Sequence, residues 1–179
     1  MALVAVPTIT STKSGMVQIA TGSCSGATVT ISGLGGYDYY NVVFTGIRTG
    51  SSSNNPNYYL RINGNSSSNY LYVGHANYTA SSQTERSTDG TYIPLTPGIN
   101  SYRQNGSNLW DIRFDNCNSN GFIRYSFVGV YPDGSSQNAT GTTLSGFLKV
   151  ATNLSSLVLS MDGGTTYDQG TYIVYGGKL

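Results

Sequence analysis

Proton-transfer chemistry by histidine would rest on a single residue in this sequence, His75. A Ser-His-Asp triad needs the histidine beside a nucleophile and a carboxylate, and the chain has no G-x-S-x-G nucleophile elbow. It also has no P-loop and no dinucleotide-binding fingerprint. We therefore predict that His75 is a surface or interface residue, that the protein is not an enzyme, and that it uses no cofactor.

Paired carboxylates are the second route to chemistry, because glycoside hydrolysis uses two of them at a defined separation. The chain has only eight acidic residues, and Asp111, Asp115 and Asp162 are the best candidates for a cluster. Asp111 and Asp115 alternate with Arg113 in a strand-like segment, so the three share one face. This pattern favours cross-strand ion pairs or a salt-bridged subunit contact over an acid/base pair.

Metal binding and disulfide formation have weaker support. Residues 115–120 are rich in oxygen ligands for calcium, but their spacing matches no calcium loop, and such turns are common without metal. Cys24 and Cys117, with one histidine, are too few for a zinc cluster. We predict no metal site. A disulfide between the two cysteines stays open, but two free or buried thiols are favoured.

Tyrosine is the most abundant candidate binding residue, with 15 copies, and it combines an apolar ring with a polar tip. Six tyrosines are candidate contacts for a glycan or a host surface: Tyr58, Tyr59, Tyr70, Tyr72, Tyr78 and Tyr92. The alternative is cross-strand packing within the sheets, which we prefer.

The composition indicates the elements that position these residues. Charged residues make up 9% of the 179 residues, against about 25% in an average soluble protein, and Gly, Ser, Thr, Asn and Tyr dominate. Runs of strong helix formers are absent, so we predict a β-rich single domain. A net charge of +1 without a basic cluster argues against nucleic-acid binding. The chain has no apolar run long enough to cross a membrane and no signal-peptide pattern, so we expect synthesis in a cytoplasm and no membrane insertion.

Nine or ten short strand patterns follow one another without a helix, which predicts an antiparallel β-sandwich, with a jelly roll as the favoured version. The last two patterns, in residues 153–179, read as two strands and their connection, and we expect the final one to close the fold. Residues 57–63 and 69–74 read as the two arms of a hairpin. Residues 76–106 read as irregular apart from a short strand at residues 91–95, which Pro94 places at a sheet edge.

The N-terminal residues form a separate unit in this interpretation. We predict an extended arm over residues 1–20 and a sandwich domain over residues 21–179. Four apolar side chains in the arm are candidates for docking on a partner: Leu3, Val4, Val6 and Ile9. The alternative, a loosely ordered terminus, stays open.

The chain resembles small virion structural proteins of tailed bacteriophages, a family found in marine and cyanobacterial phages. Residues 27–34 (ATVTISGL) lead into residues 37–47 (YDYYNVVFTGI), and residues 168–176 (DQGTYIVYG) are similar to the family's closing strand. Residues 76–120 show little similarity to it. The resemblance implies a jelly-roll-like fold, display on the virion surface, and assembly as a homotrimer, and it supplies no catalytic residues.

Such proteins serve either as capsid decoration (cement) proteins, which bind the major capsid protein, or as short tail-fibre and host-adhesion proteins. Fibres usually carry a shaft, and no coiled coil or repeat is present here. We therefore favour capsid decoration. The first alternative is a tail-fibre or adhesion protein with a tail or baseplate partner and a host-surface glycan as ligand, and the second is a carbohydrate-binding module.

Overall fold

The structure, a computed structural model, describes residues 15–49, 56–77, 82–96, 108–132, 139–162 and 166–179. These residues form twelve strands and no helix. In chain order the strands are β1 (Met16–Ser23), β2 (Thr28–Ser32), β3 (Tyr39–Thr49), β4 (Tyr58–Ile62), β5 (Tyr70–Asn77), β6 (Ser82–Gly90), β7 (Ile93–Pro94), β8 (Leu109–Asp115), β9 (Phe122–Pro132), β10 (Ala139–Ala151), β11 (Ser156–Met161) and β12 (Tyr167–Gly177).

The strands build two antiparallel sheets that pack face to face, which confirms the predicted β-sandwich. The large sheet has the order β1-β12-β3-β8-β9-β10-β5-β6, and the small sheet has the order β2-β11-β4-β7. Two hairpins, β5–β6 and β9–β10, widen the large sheet beyond β8. If these four strands are left out, eight strands remain. Renumbered from 1 to 8 in chain order, they have the order 1-8-3-6 in the large sheet and 2-7-4-5 in the small sheet. The jelly roll itself stays a prediction.

Strand alternation explains how the core forms. In β8, Trp110, Ile112 and Phe114 are fully buried, while Leu109 and Arg113 are exposed on the opposite face. Trp110 reaches across the sandwich, with its ring centroid 5.2 Å from that of Tyr58 on the small sheet. Its indole Nε1 donates a hydrogen bond to the carbonyl oxygen of Leu95 at 3.0 Å. One aromatic side chain thus ties the large sheet to both β4 and the segment after β7.

Glycine creates the space that Trp110 needs. Gly129 on β9 lies directly opposite Trp110 in the ladder, and both face the core. A Cβ atom at residue 129 would lie 2.5 Å from Cδ1 of Trp110, closer than atoms can approach without displacement. The glycine is therefore a packing requirement of the indole ring.

One predicted strand pair was wrong in its partner. The strands at residues 57–63 and 69–74 are not a hairpin, because β4 belongs to the small sheet and β5 to the large one. Between them Asn63 and Gly64 both have positive φ, and the hydroxyl of Tyr70 accepts a hydrogen bond from the Ile62 amide at 2.8 Å. The two final strands also separate: β11 pairs with β2 and β4, whereas β12 pairs with β1 and β3.

Three further strands bear on the predictions for the sheet edges. The predicted arm over residues 1–20 included one short strand at residues 16–20; in the structure β1 (Met16–Ser23) pairs with β12 at the edge of the large sheet, and residues 1–14 lie outside the described residues. Ser82–Gly90, predicted as irregular, is the opposite edge strand β6. The edge position predicted from Pro94 is confirmed, since β7 pairs only with β4 at one end of the small sheet.

Candidate functional site

The outer face of the large sheet, which points away from the small sheet, holds three of the candidate functional residues, His75, Asp111 and Asp115. A groove of about 640 Å³ crosses it over β3, β8, β9, β10 and β5. Alternation along each strand turns the side chains of Asn41, Asp111, Arg113 and His75 to this face, because their sequence neighbours fill the core. We call it the outer groove.

The ladder register separates His75 from the carboxylates of the groove. Asp111 lies opposite Val128, Val128 opposite Thr143, and Thr143 opposite His75. Three inter-strand steps of about 4.8 Å place His75 and Asp111 roughly 14 Å apart. His75 is exposed, and its Nδ1 lies 3.4 Å from the Thr84 hydroxyl. The geometry does not assemble a triad at this histidine.

The three candidate carboxylates each have a structural partner. Asp111 accepts a hydrogen bond from the Asn41 side chain across the sheet. Asp115 accepts from Arg113 Nε at 2.9 Å, and this contact raises the pKa of Arg113. Asp162 lies at the end of β11 and accepts from the Asn57 amide at 2.8 Å.

The Asp111–Arg113–Asp115 motif was predicted to form cross-strand ion pairs. Instead, Arg113 and Asp115 form an ion pair within β8, and Asp111 accepts a hydrogen bond from Asn41 on the neighbouring strand β3. Asp111 and Asp115 are also about 14 Å apart along β8, beyond the separations of about 5 to 10 Å that glycosidases use.

The groove borders an apolar patch that the sequence-based prediction missed. Leu109, Val128 and Val130 are 44%, 60% and 43% exposed on the outer face, and Val73, 56% exposed on the same face, lies apart from them on β5. Leu109 and Val130 are direct ladder partners, and Val128 lies two residues from Val130 on the same face. The uninterrupted run Phe127-Val-Gly-Val-Tyr131 carried the signal, because apolar residues on both faces of a strand indicate that both faces are covered.

The structure divides the six candidate tyrosines. Tyr58 and Tyr70 are buried in the core, so the expectation of a glycan contact there needs correction. Burial raises the pKa of Tyr70 to about 12. Tyr59 and Tyr72 are half-buried, and Tyr92 is exposed. Tyr78 lies outside the described residues. The two buried rings serve packing, but Tyr58 packs between the sheets, against Trp110 and Tyr167, and not against a cross-strand neighbour.

Tyr59 and Tyr92 come together beside the small sheet. Their ring centroids are 4.9 Å apart, and the Arg61 guanidinium carbon lies 4.8 Å from the centroid of Tyr59. Arg61 Nε also donates to the carbonyl oxygen of Thr91 at 3.2 Å, which holds the guanidinium in place. Because Arg61 covers one face of Tyr59, Tyr92 is the ring of this cluster that remains available to a ligand.

The asparagine-rich turn at residues 115–120 serves as a structural link. Asn116 and Asn120 have positive φ, and the Asn120 amide donates to Asn153 Oδ1 at 2.7 Å. Asn63 Nδ2 donates to the carbonyl oxygen of Asn153 at 2.8 Å, which joins this turn to the turn after β4. In the described part of the chain, no three His, Cys, Asp or Glu residues gather in a way that could hold a metal ion.

Both cysteines are free and buried. Burial raises the pKa of Cys24 to about 11 and that of Cys117 to about 12. The candidate docking residues Leu3, Val4, Val6 and Ile9 lie outside the described residues, so the arm stays a prediction.

Comparisons of the chain with protein-family models, with curated proteins and with solved structures returned no match. The described residues also contain no helix that could cross a membrane.

Proposed function

We propose that the protein is a non-enzymatic structural protein of a bacteriophage virion, displayed on the particle surface as a capsid decoration protein. The observation that carries the proposal is the apolar patch on the outer face of the large sheet, because exposed apolar clusters mark assembly surfaces. The resemblance to phage virion proteins supports the location. The eight-strand order that remains without the two hairpins supports the jelly roll, which is built from two Greek keys.

The occupant we propose for this face is another copy of the chain, in a homotrimer. The sheet spans seven inter-strand steps, so it is about 34 Å wide, and a strand of seven residues covers about 24 Å. The whole outer face therefore measures roughly 800 Å², about what one partner contributes to a standard protein interface, and the subunit contact that we propose uses the end of this face that carries the apolar patch. In a cyclic trimer this face meets a different patch of the next copy.

Light scattering after size exclusion tests the assembly. We expect the chain to elute at three times its 19.0 kDa mass. Val130→Asp should lower the mass to that of a monomer, because a buried unpaired carboxylate in the contact is costly. Val17→Asp is the matched control, since Val17 is 46% exposed on the edge strand β1 and lies outside the patch. A monomeric parent protein, or equal effects of both substitutions, would contradict the proposed face.

Copy number per virion tests the location. Quantitative mass spectrometry of purified particles, scaled to the major capsid protein, should return hundreds of copies for a decoration protein. A few to a few tens of copies would overturn capsid decoration and favour the tail.

The second candidate function is a short tail-fibre or host-adhesion protein, and the Tyr59–Tyr92–Arg61 cluster favours it. Tyr92 is 36% exposed and presents an aromatic face beside an arginine, a combination common in contacts with glycans and proteins. Under this alternative Tyr92→Ala should reduce adsorption of particles to host cells. A decoration protein should tolerate the same substitution.

A further inference from the structure

A second groove on the outer face of the large sheet has the features of a ligand site. It measures about 410 Å³ and is lined by Asn116, Phe122, Arg124 and Phe147. Phe122 and Arg124 alternate on β9, and Phe147 on β10 is the direct ladder partner of Arg124. The three side chains therefore stand next to one another on one face. We call this the Phe122 groove.

The aromatic part of the groove is a flat, accessible platform. Phe122 and Phe147 stack with their centroids 6.0 Å apart and their planes at 22°. Phe122 is 52% exposed, although a phenylalanine side chain is ordinarily buried. The electron-rich face of such a ring attracts polarised C–H groups like those on the apolar face of a pyranose.

The charge in the groove is positive and uncompensated. Arg124 lies opposite Asp115 in the ladder, but Asp115 already accepts two hydrogen bonds from Arg113 Nε, at 2.9 and 3.1 Å. Among the described residues Arg124 forms no ion pair. Its guanidinium fork can therefore bind the carboxylate of a ligand in a bidentate manner.

We propose that the Phe122 groove binds an acidic pyranose, a sugar ring with a carboxylate substituent, with the ring on Phe122 and the carboxylate on Arg124. This inference goes beyond the proposed function and does not depend on it. Phe122 and Val130 are eight residues apart on β9, so about 27 Å separates this groove from the far end of the apolar patch. Subunit contact at that end and sugar binding here are compatible.

The test is a titration by saturation-transfer NMR of the full chain with two matched sugars, methyl β-D-glucuronide and methyl β-D-glucoside. We expect the glucuronide to bind about two- to fivefold more tightly, the range for an exposed ion pair. The preference should shrink in high salt, because screening weakens exposed charge pairs. Equal affinities, or no saturation transfer to either sugar, would overturn the proposal.

Substitutions then assign the roles. Arg124→Gln should abolish the preference for the glucuronide and retain the glucoside signal, whereas Phe122→Ala should weaken both sugars by about threefold to tenfold. Arg86→Gln, the same change at an exposed arginine on β6, should alter neither. If Phe122→Ala changes the oligomeric mass and leaves sugar binding intact, the groove is a protein contact and the proposal is wrong.

Discussion

The inner and outer faces of the large sheet use the same strands under different constraints. Along β9 the inner positions hold Ile123, Tyr125, Phe127, Gly129 and Tyr131, all buried, and the outer positions hold Phe122, Arg124, Ser126, Val128 and Val130, all exposed. Inner residues must fit the volume left by the small sheet, as the opposition of Gly129 and Trp110 shows. Outer residues are free of that constraint, so a contiguous cluster of exposed apolar side chains there indicates a contact surface.

The largest expected difference in the free energy of unfolding is between substitutions at two neighbouring residues of β9, Phe127 on the inner face and Val128 on the outer face. Phe127→Ala should lower the free energy of unfolding by about 3–5 kcal/mol, because Phe127 is 3% exposed and its loss leaves a cavity in the core. In the monomeric Val130→Asp background, where no subunit contact covers this face, Val128→Ala should change it by less than about 1 kcal/mol, since Val128 is 60% exposed. Urea titration followed by Trp110 fluorescence measures both values. Similar losses at the two positions would contradict the assigned faces.

Replacing glycine by alanine at a core position and at an open position should also change the free energy of unfolding differently, by a smaller amount. Gly129→Ala should cost about 1–3 kcal/mol, because the new Cβ atom would lie 2.5 Å from Trp110 and 2.9 Å from the Thr142 methyl group. Gly141→Ala on β10 is the control, since a Cβ atom there meets nothing within 4 Å. That variant should be neutral or slightly stabilising, because alanine restricts the unfolded chain. Thermal unfolding of the two variants gives the difference.

Sequence patterns predicted the strands better than their pairing. The alternation in β8 and β9 fixed which residues face the core, because side-chain period depends only on the local backbone. Pairing depends on where the chain crosses between sheets. The crossing after β4 has positive φ at Asn63 and Gly64 and a hydrogen bond that the Ile62 amide donates to the Tyr70 hydroxyl. Strand β6 was not predicted from the sequence, because its residues, SQTERSTDG, have no apolar face.

The two buried thiols make the stability of the fold depend on pH in the alkaline range. With pKa values raised from 9.0 to about 11 and about 12, Cys24 and Cys117 stay protonated in the folded chain above the pH at which they ionise in the unfolded one. Their contribution to stability is therefore complete below pH 9.0 and is lost as the pH rises toward those values. Cys24→Ala should reduce the alkaline decline in urea midpoints between about pH 9 and 11.

Thiol labelling provides the second readout. At pH 8 a maleimide should modify neither cysteine in the folded protein and both in denaturant, because the thiolate is the reactive form and both side chains are 2% exposed. Rapid labelling of the native chain would show that one of the thiols is accessible.

The candidate site was less predictable than the fold. The residues of the outer groove come from strands far apart in sequence, so their proximity depends on sheet order, which local patterns do not encode. The tyrosines illustrate the same limit: Tyr58 and Tyr59 are neighbours in β4, and one fills the core while the other faces outward. Residue type alone predicted a ligand contact for both tyrosines, whereas strand alternation places only Tyr59 on the outward face.

The smallest change in the free energy of unfolding is expected for substitution of His75. His75→Ala should change the free energy of unfolding by less than about 0.5 kcal/mol and leave the oligomeric mass unchanged, because His75 is exposed and the one hydrogen-bond contact its ring makes within the described residues is to Thr84. Phe127→Ala, measured in parallel, sets the scale of a buried position. A lower oligomeric mass or a loss of particle assembly in the His75 variant, without loss of stability, would contradict this expectation and place His75, at the β5 end of the outer groove, in a protein contact.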